Sequence, residues 1–219
     1  MVYYDAHCHL MEDSVFFKAT ENGIKSFIVN TTKPDEWEQV ADLNKRVLGI
    51  HFCAGIHPWF INNLSKDWEI QMELFLQKYP QAMIGEIGLD ANRPFLDQQL
   101  VIFQKCLTLA EKYDRKVHIH CVGAWDEMIS CLTQYRAIKP LFHRFNGNEV
   151  IIQKLRLFNA YFSVLNGRFL HMIPYNRLLV ESDSPDGLKS PTAIPELVQK
   201  LNLNLEQINE NFTRFVYET

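Results

Sequence analysis

The chain has 219 residues, 47% hydrophobic and 22% charged. That length fits one domain over residues 1–219, with apolar sequence enough for a sizeable core. With 22 Lys and Arg against 26 Asp and Glu, the net charge of −4 excludes a broad basic face for tight binding of long nucleic acid, though not a small phosphate site.

In chain order, short apolar runs bounded by Gly, Pro, Asp or Asn alternate with helical stretches. The runs predict strands at Val2–His7, Ser26–Thr31, Ile50–Ile56, Ala82–Ile87, Lys116–His120, Pro140–Arg144, Ala160–Leu165 and Arg177–Glu181. Helices are expected over Leu64–Tyr79, Asp97–Tyr113 and Trp125–Tyr135. In Asp97–Tyr113, Leu100, Phe103 and Leu107 share one face. Asn204 with Gln207 resembles a capping box, followed at helical spacing by Ile208, Phe212 and Phe215. Between Ala160 and Leu178 there is room for a strand but only a stub of helix near Phe169–Met172. Eight such units favour an α/β fold with a parallel sheet, either a closed (β/α)8 TIM barrel, slightly shortened, or an open doubly wound sheet.

The histidines and carboxylates decide between the two. His7 and His9 form an H-x-H pair as the first strand ends. Glu86 lies in IGEIGLD, His120 ends VHIHC, His143 lies in LFHRFNG and Asp183 in VESDSP. Each stands at or just past a strand's C-terminal end, and in a barrel those ends converge on one rim. An open sheet would spread them along a line. Four imidazoles and two carboxylates brought together are costly unless a divalent cation, or two, organises them. Singly, each has a blander reading: a strand-end His is usually a hydrogen-bonded rim residue, and Asp183 alone would cap a helix. The joint placement carries the metal-site reading.

The other histidines are expected to differ. His57, in GIHPW, faces the same rim and suits substrate contact, or support of a ligand from behind, better than ligation. His118 should lie one layer beneath His120 as core, His51 at the surface, and His171 is unassigned. Cys8 and Cys121 flank ligands but should point away from the axis. All five cysteines are scattered and expected free. Lacking a signal-like N-terminus and any bilayer-long apolar run, the chain is expected to be cytoplasmic, with no membrane partner. Its oligomeric state is not readable.

These motifs resemble the TatD family of metal-dependent deoxyribonucleases, within the amidohydrolase superfamily. The resemblance runs from DAHCHL through GIHPW, IGEIGLD, VHIHC, HRFNG and ESDSP to the closing NFTRF. It implies one metal on His7, His9 and Asp183, a second on His120 and His143, and Glu86 bridging. Two divalent ions (Zn, Mn or Mg) would activate a water, with Asp183 taking its proton; Asp183 and Glu86 are thus the expected catalytic residues. The chain departs from the family at the substrate rim. Cys121, Val122 and Gly123 stand where the family has a small residue and Arg-Asp, so a phosphate anchor is missing. Trp59 replaces the second His of GxHPH, Arg144 follows a ligand, and the stretch after DSP shrinks to DGLKSPTAIP. Arg93 is expected to be the surviving phosphate contact. Arg144, by strand alternation, is expected to point outward and to matter for stability.

The resemblance implies phosphodiester hydrolysis on short or single-stranded nucleic acid. Two alternatives stay open: acyl hydrolysis such as D-aminoacyl-tRNA deacylation, and a metal-binding protein that no longer turns over.

Overall fold

The computed structural model describes residues 1–135 and 137–218. Eight parallel strands form one sheet in sequence order: β1 (Tyr3–Cys8), β2 (Ile24–Asn30), β3 (Ile50–Ile56), β4 (Met83–Asp90), β5 (Val117–Val122), β6 (Pro140–Phe142), β7 (Tyr161–Val164) and β8 (Leu178–Val180). Each expected strand is present. The sheet curls into a nearly closed barrel, and the seam is joined by strand ends. The Asp183 N–H donates to His7 O at 2.8 Å, and the His9 N–H to Ser184 O at 2.8 Å. Beside them Asp5 accepts from the Ser182 N–H at 2.8 Å and its hydroxyl at 2.6 Å.

Helices α1 (Asp13–Glu21), α2 (Trp37–Arg46), α3 (Trp68–Lys78), α4 (Leu96–Lys112), α5 (Trp125–Leu132) and α6 (Glu149–Leu155) follow the first six strands, and α7 (Ile194–Lys200) and α8 (Leu205–Tyr217) follow the last. Between β7 and β8 only two 3-10 turns occur, Leu170–Met172 and Tyr175–Arg177, as the short segment predicts. In α4 the buried Phe103, Cys106, Leu107 and Ala110 recur at helical spacing and face the sheet. With helices outside and side chains inside, β4 is buried at all eight positions. Asn204 caps α8 by accepting from the Gln207 N–H at 3.3 Å. The reciprocal half of the expected capping box is absent, because the Gln207 side chain donates to Asn211 instead, at 3.0 Å.

Alternation within strands grades the interior from apolar to polar. At the N-terminal floor Ala6, Ile28, Cys53, Met83, Leu141, Tyr161 and Leu179 pack with Phe212 and Phe215 of α8. Two residues on along several strands come Asn30, Gly55, His143, Ser163 and Glu181, and beyond those His57 and Asp183. Crowding at this level demands glycine. A Cβ on Gly55 would lie 2.2 Å from the Glu86 nitrogen, and one on Gly88, at φ +148°, 1.9 Å from His120 O. All five cysteines are free and buried, with Cys8 and Cys121 in the layer between sheet and helices. No helix among the described residues is long and apolar enough to cross a membrane.

Candidate metal centre

The six expected ligands meet at the C-terminal rim. Glu86 stands at their centre. Its Oε1 lies 2.7 Å from His143 Nε2 and 3.0 Å from His120 Nδ1; its Oε2 lies 3.1 Å from His9 Nε2 and 3.4 Å from His7 Nε2. Asp183 Oδ1 is 3.6 Å from His9 Nε2 and 3.7 Å from His7 Nε2. All six side chains are at most slightly exposed. Several approaches are short without being hydrogen bonds. Glu86 Oε1, His7 Nδ1, His143 Nδ1 and His120 Nε2 are buried and have no hydrogen-bond partner. Buried polar atoms left in that state are costly. Glu86 Oε1 faces the converging imidazole nitrogens, where a cation would meet it, so the donor set fits a divalent metal. Three overlapping groups of three, His7 with His143 and Glu181, His7 with His9 and Asp183, and His57 with Glu86 and His120, are each close enough to hold an ion.

Outer hydrogen bonds sort the imidazoles. His9 Nδ1 lies 3.0 Å from the Asn30 carbonyl, which accepts its proton and leaves the Nε2 lone pair facing the cluster. His57 is reversed. Its Nδ1 accepts from the Trp59 N–H at 3.2 Å, so the neutral ring carries its proton on Nε2, 3.2 Å from Glu86 Oε1. His57 therefore sits in the buried cluster with Nε2 turned to Glu86, and it also lines the cavity over the cluster. His120 turns Nδ1 to Glu86 while Nε2 faces Asp90 Oδ2 at 3.4 Å.

The carboxylates govern the charge state. Burial opposes a charged His9, but Glu86 and Asp183 outweigh it and raise its pKa to about 9. Burial likewise opposes a charged His120, which Asp90 and Glu86 raise to about 9. His7 is pushed well down, by burial first and then by His143. His120 holds the Asp90 carboxyl well below the usual range, with help from the Trp59 indole.

Arg144 corrects an expectation. Its backbone takes φ +42°, and that twist turns the side chain to the rim rather than outward, where Nη1 donates to Asp183 Oδ2 at 2.9 Å. Asp183 is also left-handed, at φ +48°. Such backbone is uncommon outside glycine and concentrates at functional sites. Arg93 is exposed beyond β4, its guanidinium 4.0 Å over the Trp59 ring. His118 is fully buried beneath the cluster, as expected, with neither ring nitrogen partnered. His51 is half-buried against α8 rather than at the surface, within 3.2 Å of the Tyr217 hydroxyl.

Two acids of the site were not singled out from sequence. Asp90, four residues after Glu86 in IGEIGLD, accepts from the Trp59 indole at 2.7 Å. Glu181, two before Asp183 in ESDSP, accepts from the Arg144 N–H at 2.7 Å and the Ser163 hydroxyl at 2.5 Å. The even spacing from a ligand was the signal available for both.

Residues 4–213 match the family model described as TatD related DNase. The chain is 28% identical over 188 residues to the 3'-5' ssDNA/RNA exonuclease TatD of Enterobacter lignolyticus, covering 79% of this chain and 72% of that protein. It is 23% identical over 214 residues to the human deoxyribonuclease TATDN3, covering 83% and 77%. The crystal structure of the TatD homolog YjjV from Escherichia coli superposes with a TM-score of 0.89 at 19% identity, over 99% of this chain and 98% of that one, and shares the fold. With nearly its whole length matched, the chain belongs to the TatD-related DNase family.

Proposed function

We propose that the chain is a hydrolase that uses two divalent ions (Zn, Mn or Mg) to cleave phosphodiester bonds at short or single-stranded nucleic-acid ends. The observation that carries this is the cluster around Glu86, whose donors exceed what one four-coordinate ion takes. The relatives named as ssDNA/RNA exonucleases support the substrate class. His7, His9 and Asp183 would hold one ion and His120 and His143 the other, with Glu86 between them; bound there, such ions supply Lewis acidity and make water a better nucleophile at neutral pH.

The protein's own groups move the proton. Asp183 takes one proton from the attacking water as the new P–O bond forms, and returns it to the leaving oxygen as the old bond breaks. Arg144 on Oδ2 holds that carboxylate in place, leaving Oδ1 turned toward the cluster. His57 and Asp90 orient Glu86 and His120 from behind.

The test is a hydrolase screen of the pure protein with Zn²⁺, Mn²⁺ and Mg²⁺, using a phosphodiester, a phosphomonoester and a carboxylic ester side by side. Phosphodiester turnover is expected, with elemental analysis approaching two ions per chain. A ceiling of one ion defeats the binuclear form, and a ceiling of zero defeats the metal reading. One observation favours a second reading: Val122 stands where the family places its phosphate-binding Arg. Cleavage of the carboxylic ester alone would mark a change to acyl hydrolysis.

A further inference from the structure

The mouth of the metal centre has two lobes of opposite character. One, about 510 Å³, lies over the cluster and is walled by the acids Glu36, Glu86, Asp183 and Asp186. The other, about 540 Å³, opens on the β4–β7 side and is lined by Arg93, Arg144 and Arg168, with Asp90 its one acid among the described residues. Asp90 is already engaged by Trp59 and His120. Trp59, His120, His143 and Arg144 line both lobes, so the arginine lobe leads directly to the cluster.

Two of its arginines lie over aromatic rings. The Arg93 guanidinium stands 4.0 Å from the centre of the Trp59 ring, and that of Arg168 stands 5.0 Å from the centre of Phe169. All four residues line the same cavity. Trp59 is 48% exposed and lines the cavity, so part of its ring is open to a ligand there. In a chain of net charge −4, this is a local concentration of positive charge interleaved with flat faces. Cationic grooves with aromatic platforms are how proteins hold single-stranded nucleic acid, and guanidinium planes also stack on bases. A duplex keeps its base faces covered and gains nothing from such a wall.

We propose that the arginine lobe is the strand-binding groove of this centre: an unpaired base stacks on the Trp59–Arg93 wall while a neighbouring phosphate meets Arg168. The proposal rests on the phosphodiesterase reading above and names what replaces the family's missing anchor. Arg93 then acts as part of a stacking surface rather than as the lone phosphate clamp.

The test measures binding of a fluorescein-labelled phosphorothioate octanucleotide by anisotropy, with the metal-loaded protein. Trp59→Leu should weaken binding about tenfold, the scale of one base stack, and Trp59→Phe should restore most of it. Removing the terminal base from the oligonucleotide should erase the difference between wild type and Trp59→Leu. Arg168→Ala, at an exposed position, should reduce the slope of log K against log salt by about 0.7, the value for one single-strand phosphate. Binding unchanged in both Trp59→Leu and Arg168→Ala overturns the groove. Equal weakening in Trp59→Phe and Trp59→Leu also overturns it, since both lose the indole N–H to Asp90 but only Phe keeps a stacking face. Failure of the parent reading looks different: wild-type protein then cleaves neither the unmodified oligonucleotide nor bis(p-nitrophenyl) phosphate.

Discussion

Histidine is at least partly buried at both ends of this barrel, and the two ends act on it in opposite directions. At the rim, His9 and His120 are raised to about 9, because burial is outweighed by Glu86, Asp183 and Asp90. Toward the floor, burial lowers His51 to about 4, helped by the charge of Lys116. The inner His118, between the two, falls to about 3 by burial and the His143 charge, with Glu86 too weak to reverse it. The difference is the carboxylates. The floor is an apolar plug of Phe212 and Phe215 that holds the barrel together. At the rim, orphaned polar atoms and left-handed residues mark strain of the kind that gathers at functional sites. Stability and chemistry are thus separated along the barrel axis.

The largest expected effect tests the rim. Asp183→Asn keeps the side-chain shape, and Asn tolerates the left-handed backbone at φ +48°. Turnover at saturating metal should fall by roughly a thousandfold, within the range for a lost acid–base group. The melting temperature without metal should change little, since the Arg144 side chain that loses its ion pair is itself half exposed. Near-normal turnover would remove Asp183 from the proton path; a collapsed fold would mean that the rim also carries stability.

Next in size is the reverse experiment at the floor. Phe215 is 2% exposed and packs against Tyr161 and His118 at ring distances of 5.2 and 5.3 Å. Phe215→Ala should cost about 3–5 kcal/mol in urea unfolding, as for other buried aromatic truncations. Metal stoichiometry and the Kd for Mn²⁺ in the surviving folded protein should change little. A tenfold loss of metal affinity at full folding would show that the ends are coupled through His118, and the separation would fail.

How far this division was legible in the sequence follows from the same geometry. The strands were readable because apolar runs ended at breakers, and the six rim residues because they stood at strand ends. What local rules missed depends on backbone detail. β4 runs on to Asp90 rather than ending near Ile87, which brings a second carboxylate to the rim. Arg144 follows its strand in a left-handed conformation, so alternation gave the wrong direction. His57 is oriented by one N–H, that of Trp59, which no spacing encodes. The ladder is also irregular between Asp5 and Cys8, and between Ile84 and Ile87, where His7 and Glu86 lie.

The smallest effect sharpens the comparison most, because it isolates a floor histidine from the metal chemistry. His51 is the second residue of β3 and packs against Phe212 and Tyr217 of α8, with Lys116 the charge that acts on it. Its folded pKa, about 4, lies below the unfolded value of about 6.5. Between those values the unfolded chain binds the extra proton, so stability rises with pH across that window. The contribution is complete above about pH 6.5 and is lost as pH falls toward 4. Allowing for solvent at a half-buried ring, it should be on the order of 1–2 kcal/mol. His51→Gln cannot take up that proton. Urea midpoints at pH 7 and pH 4.5 should therefore fall further in wild type than in the variant, with metal absent from both. Equal losses would mean that His51 titrates normally when folded, and that burial at the floor is too leaky to oppose charge. A larger loss in the variant would place an unrecognised anionic partner beside His51 and make the floor resemble the rim.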